Sequence, residues 1–241
     1  PPERAVALAL LRASGLRSAF GSDGKSLQVG LAAASGVQAA RLAAEGARVP
    51  LEAAASGFAQ ATGVTFARPD PARRAIDENW IKAWPCCLQT HGAIEAAEAV
   101  RGRSPAELGV TVHPVSLQAA AVGPAPEDGL RAKFSIPYLT AYTLVHGPPG
   151  VEDFDGVDAD VVERARAIEV RTDAGLLESE LVLHEGGIEI ARLKAALGSP
   201  AKPMDPEALR AKVEDLAGGK LAGALDDPGR PAAELLAAAG L

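Results

Sequence analysis

The apolar pattern changes its period twice along this chain, and that change is what most restricts the fold. Residues 3–61 carry apolar side chains at helical spacing in alanine-rich sequence. By contrast, GVTVHPVSLQAAAV (109–122), AIEVRTD (167–173) and ESELVLHEG (178–186) carry β-branched residues in alternation. Helical spacing returns from residue 205. This order predicts an α+β chain: an all-helical domain built from both chain ends, residues 1–70 and 199–241, and a small central α/β lid domain over 71–198. Aromatic residues are only 4% of the chain, and much of the apolar share is alanine, which favours closely packed helices.

Turn residues divide these regions further. Residues 3–20 read as a helix that Ser14-Gly15 interrupts, and GSDGK (21–25) as a polar break. Residues 26–46 read as a second helix stopped by Gly46; its Gly30, Ala33, Ala34 and Val37 share a face that a neighbouring helix could approach closely. Residues 51–61 give a short third helix, and RPDPARR (68–74) marks the boundary. Residues 90–101 read as a helix and 109–122 as a strand. KFSIPYLTAYTLVHG (133–147) reads as a helix capped by Ser135 with Pro137 in its first turn. Residues 158–166 suit a short helix, 167–173 and 178–186 a hairpin, and 187–198 a strand or helix. Asp205 and Pro206 open a helix running to 218, and 230–241 is a last one.

Several function classes are excluded. A net charge of −7 offers no basic footprint for nucleic acid. No apolar run approaches the roughly 18–20 residues that span a bilayer. With no signal peptide and only two cysteines, adjacent to each other, a cytoplasmic protein is the simplest expectation. The opening PPERAVALALL already follows a helical pattern, and the single methionine is Met204, which suggests processing or one piece of something longer. G-x-G-x-x-G, P-loop and H-E-x-x-H motifs are absent.

Candidate chemistry centres on WPCCLQTHGAIEAAEAV (84–100). Adjacent cysteines rarely bridge, and with one histidine nearby no second ligand pair follows for zinc, so no metal is expected. Cys86 and Cys87 read as small apolar packing residues. Burial and the helix dipole would hold His91 neutral, so that it either accepts a proton near neutrality or simply packs. Lys25 lies just before a helix N-terminus, where a cation opposes the dipole; ammonium and free N–H groups together would attract a carboxylate, although a solvated lysine is the ordinary alternative. Tyr138 is either a hydrogen-bond donor or acid, or a core tyrosine with its hydroxyl satisfied. Ser135 reads as a cap more than a nucleophile, and Lys133 as a solvated lysine or a partner for a substrate carboxylate. His113, His146 and His184 have structural explanations and receive no role.

Four blocks in order resemble the MmgE/PrpD family, which includes 2-methylcitrate dehydratases, cis-aconitate decarboxylases and iminodisuccinate epimerases. They are GSDGKSLQVGLAAASGVQAARLAAEG (21–46), IKAWPCCLQTHGAIEAA (81–97), AKFSIPYLTAYTLVHG (132–147) and GSPAKPMDPEALRAKVEDL (198–216). Family members are much longer and begin with an extensive helical half; this chain resembles the portion after it. Gln28 stands where the family commonly has histidine. The resemblance implies a helical domain with a lid, an active site in the cleft between them, and no metal or organic cofactor. It implies a small di- or tricarboxylate substrate, with Lys25, His91 and Tyr138 as catalytic groups and Lys25, His91, Lys133 and Ser135 as substrate-binding ones. The reaction would be dehydration, decarboxylation or epimerisation by a homo- or hetero-oligomer, with a separate chain supplying the absent helical half and its side chains. The competing expectation is a non-catalytic carboxylate-binding or structural partner subunit.

Overall fold

A computed structural model describes residues 2–19, 21–67, 70–102, 107–224, 226–227, 229–238 and 240. Phe20 of the first expected helix, residues 68–69 of the boundary segment, and Ala239 and Leu241 of the last expected helix lie outside the described residues. The chain is α+β, with a four-stranded mixed sheet between helical ends.

The amino-terminal helices are α1 (Pro2–Leu10), α2 (Gly24–Ala44) and α3 (Leu51–Thr62). The expected helix over 3–20 is shorter than its pattern: α1 stops at Leu10, Gly15 takes φ 131°, and only a single 3-10 turn follows at Arg17–Ala19. α1 packs on α2 and α3, with Ala7, Ala39, Ala43 and Ala54 buried, so alanine sets the helix spacing. The Gly30, Ala33, Ala34 and Val37 face of α2 stands exposed, as do Leu27, Val29 and Leu31. A Cβ added at Gly30 would meet nothing within 4 Å.

The central section runs α4 (His91–Ala99), β1 (Leu108–Val112), α5 (Pro114–Ala119), α6 (Gly129–Ala132), α7 (Ile136–His146), α8 (Ala159–Arg166), β2 (Glu169–Thr172), β3 (Leu181–Glu185) and β4 (Ile188–Leu193). The strand expected over 109–122 ends at Val112 because His113 caps a helix: its Nδ1 accepts the Val115 N–H at 3.2 Å, and Pro114 occupies the first turn. The expected hairpin of 167–173 with 178–186 does not form. Sheet order is β2-β1-β3-β4, so β1 separates the two, pairing parallel with β2 and antiparallel with β3. The hairpin is β3–β4 instead, turned by Gly186 (φ 56°) and Gly187 (φ 82°). Two consecutive positive φ values are what a two-residue hairpin turn with the right twist requires. Residues 188–193, open between strand and helix, are thereby strand.

α4 and α7 pack together against this sheet, α4 lying on β3 and α7 on α8. Ile94, Val110, Val112, Ile136, Leu139, Leu181 and Leu183 are each at most 2% exposed. Each such side chain contributes about 1.5–3 kcal/mol by leaving water. Beyond the sheet come α9 (Pro206–Ala217), α10 (Gly219–Ala224) and α11 (Ala232–Ala238), packed in succession. Asp205 caps α9 by accepting the Ala208 N–H at 2.8 Å.

The segments leading into and out of the central section are tied side by side. The Ile81 N–H donates to Gly198 O at 2.9 Å. Glu95 on α4 accepts the Leu197 N–H at 2.8 Å and pairs with Lys202. Gly198 takes φ 90°, and a Cβ there would lie 1.8 Å from Ile81 O. Gly46 takes a similar φ of 95° but would meet nothing within 4 Å. Gly198→Ala should therefore lower stability by about 2–4 kcal/mol, because collision adds to backbone strain, and Gly46→Ala by only about 1 kcal/mol. Urea unfolding of both variants checks this; equal losses would remove the close approach as the cause.

Candidate functional site

Segments that are distant in sequence meet around Phe134. At the start of α2, Ser22 Oγ donates to Ala19 O at 2.7 Å and accepts the Gly24 N–H at 3.3 Å, fixing the turn that precedes Lys25. From the first turn of α2 the Lys25 ammonium reaches 5.2 Å from the centre of the Phe134 ring, within cation–π range. Phe134 lies between Lys133 and Ser135 just before α7. The segment before α4 joins here as well, because the Cys87 N–H donates to Lys133 O at 2.9 Å. The Lys133 ammonium sits 5.0 Å from the Phe154 ring centre.

A cleft of about 400 Å³ opens beside Phe134, with Ser18 and Gly21 on one side and Gln118, Gly123, Glu127 and Arg131 on the other. This volume suits a small organic molecule. Arg131 escaped the sequence reading, since no motif marks it; its signal was only its place two residues before Lys133. Ser135 is fully buried: its Oγ donates to Gly123 O at 2.7 Å and accepts the Tyr138 N–H at 3.2 Å, capping α7. Lys25 thus meets the Phe134 ring, while the Lys133 ammonium is turned to Phe154 and Ser135 Oγ to Gly123 O.

His91, the first residue of α4, is fully buried and stands edge-on to Trp84 at 5.1 Å between ring centres. Among the described residues neither ring nitrogen has a hydrogen-bond partner. Its pKa is pushed down to about 4, first by burial and then by the Lys82 ammonium; the Trp84 backbone opposes this without reaching hydrogen-bond geometry, and Lys212 adds a smaller push downward. The imidazole is therefore neutral at physiological pH. Lys82, which lies in the 81–97 block but received no role from the sequence, is held by donating from Nζ to Cys86 O at 2.7 Å, a fold-back that spacing does not reveal.

The Tyr138 hydroxyl is directed to the start of α8, where it accepts the Asp158 N–H at 3.0 Å; burial raises its pKa. Cys86 and Cys87 are buried free thiols. Cys86 Sγ accepts from Thr90 Oγ1 at 3.2 Å, and burial pushes its pKa up to about 11, so the thiolate is scarce. His113 caps α5, His146 Nε2 lies 3.0 Å from Asp158 Oδ2, and His184 Nε2 lies 3.1 Å from Thr111 Oγ1. Among the described residues no group of three or more His, Cys, Asp or Glu side chains is placed to hold a metal ion.

The state of His91 has a consequence for stability. Between its folded value of about 4 and its ordinary 6.5, the unfolded chain binds more protons than the folded one. Stability therefore rises with pH across that window; it is complete above 6.5 and is lost as pH falls toward 4, by at most about 3 kcal/mol. His91→Gln, which cannot titrate, should lose less stability than the parent between pH 7 and pH 5, measured by urea midpoints. An equal loss in both proteins would mean that His91 titrates normally.

The family model described as the MmgE/PrpD C-terminal domain matches residues 84–227, more than half of the chain. The match takes in His91, Lys133, Ser135 and Tyr138, and begins after Lys25 and Lys82. No curated protein matches. Among the described residues no helix is long and apolar enough to cross a membrane. With the α+β fold and the convergence around Phe134 beside it, the domain match identifies the chain as a member of the MmgE/PrpD family.

Proposed function

We propose that the chain is one half of a cofactor-independent lyase or epimerase acting on a small di- or tricarboxylate. The observation that carries this reading is the Lys25 ammonium over Phe134, beside a cleft of about 400 Å³ that Arg131 also lines. The common chemical step is removal or delivery of a proton at a carbon next to a carboxylate. It requires cations on the carboxylates, a base near the C–H bond, and stabilisation of enolate-like charge. Lys25 would hold a carboxylate and the developing charge, with Lys133 as a second cation. Neutral His91 would bind substrate or exchange a proton with it. Tyr138 is the acceptor in its bond with Asp158, so its own O–H remains available to donate.

The exposed apolar face of α2, with Leu27, Val29, Leu31 and Val37 in water, supports a further helical layer from a separate chain or a second copy. The remaining base would come from that layer. The buried free thiols fit a reducing compartment such as the cytoplasm. A non-catalytic carboxylate-binding or structural subunit is the second reading. It is favoured by the commitment of Ser135 Oγ to the α7 cap and by the complete burial of His91.

The test is co-purification from the native source, mass spectrometry of any partner, and assay of the reconstituted complex on a tricarboxylate panel. Lys25→Ala should lower kcat/KM of that complex about 10²–10³-fold. Undiminished activity would remove Lys25 from the site. Turnover by the purified chain alone would overturn the need for a second half, and a complex that binds tricarboxylates without turnover would select the second reading.

A further inference from the structure

A second cleft of about 400 Å³ lies on another part of the molecule, between α9, the Trp84-Pro85 turn and the loop at 149–151. Its walls are apolar where Trp84, Pro149, Met204 and Leu216 line it, and charged where Lys212 and Asp215 do. These two side chains stand three residues apart on α9, the spacing that makes neighbours on a helix surface. Among the described residues they form no ion pair with each other or with any other charge: Lys212 Nζ makes only a long contact of 3.5 Å with Ala83 O, and Asp215 has no hydrogen-bond partner. The walls are held in place. The Gly150 N–H donates to Asp153 Oδ2 at 2.7 Å, and Asp205 caps the start of α9. Leu216, at the rim, leaves 56% of its surface in water.

We propose that this cleft binds a small zwitterion with an apolar body, of the class of the aliphatic α-amino acids. The carboxylate would meet Lys212, the ammonium Asp215, and the apolar side chain Trp84, Met204 and Leu216. One cation and one anion give the cleft no net charge, so a di- or tricarboxylate is a poor match for it. A neutral apolar molecule would leave both charges unanswered. A zwitterion with a short separation between its charges satisfies both while covering the apolar wall. The ligand would touch the indole of Trp84, whose other neighbour is the His91 ring at 5.1 Å, so occupancy reads out at one wall of the buried imidazole.

The experiment is a fluorescence titration of the full chain carrying Trp80→Phe, which leaves Trp84 as the sole indole. L-Leucine, N-acetyl-L-leucine and L-leucinamide are the probes. Leucine should give a saturable change, and the two blocked analogues should bind at least about tenfold more weakly, each having lost one charged contact. Lys212→Gln and Asp215→Asn should each weaken leucine to a similar degree while leaving the urea midpoint unchanged. The proposal is overturned if leucine gives no saturable change, if the blocked analogues bind as well as leucine, or if both variants bind leucine undiminished. The response depends on neither Lys25 nor a second helical half, so its failure is separable from failure of the proposed reaction.

Discussion

One backbone hydrogen bond, from the Cys87 N–H to Lys133 O, joins the start of α4 to the start of α7, and the central section is arranged about that junction. Below it the two helices meet and carry the buried aliphatic side chains that pack on the sheet. Gly92 lets α4 come close to β3: a Cβ there would lie 3.2 Å from Leu181 Cβ. Gly129, before α7, is tighter still, since its Cβ would lie 1.8 Å from Phe154 O. The ends of α4 and α7 that bear His91, Lys133 and Ser135 therefore lie beside close packing, at Gly92 and Gly129. A site built there has its groups held by packing as well as by hydrogen bonds.

The charge distribution is local. The chain is acidic overall, at −7, yet Lys25 lies over the Phe134 ring, Arg131 lines the cleft beside it, Lys133 lies over the Phe154 ring, and Lys82 stands near His91. Net charge governs solubility and long-range repulsion, whereas a pocket with low-dielectric walls feels the nearest few charges. The cations that help hold the buried imidazole neutral, Lys82 and Lys212, are a different set, and burial outweighs both.

Much of this was legible in the sequence where a rule acts over four or five residues. The caps at Ser135 and Asp205, the proline starts of α7 and α9, and the stop at Gly46 depend on local backbone chemistry. Pairing between strands was not legible. Alternation marks AIEVRTD and ESELVLHEG as strands but carries no information on which strand lies between them, and β1 does. The Gly186-Gly187 pair was the available signal for the true hairpin. The β1-to-α5 switch hid in one residue, His113, whose ring caps the helix that Pro114 begins. At the candidate site, Lys25 and His91 were marked by the blocks that resemble the family, whereas Lys82, inside one of them, drew no role until the fold placed its charge near His91, and Arg131, outside them all, gained its interest only from the cleft it lines.

The bond between Ile81 N–H and Gly198 O makes the intervening section, from Lys82 to Leu197, one closed loop seen from the helices at either side. The entropy of closing a loop grows only with the logarithm of its length, by about 0.6 kcal/mol per doubling. Relatives can therefore lengthen or shorten surface turns inside this section at little thermodynamic cost, provided the two pinned ends keep their spacing. The closure is also a contact between residues far apart in the chain. Long-range contacts of that kind slow folding, because the entropy of closing the loop is lost before they form.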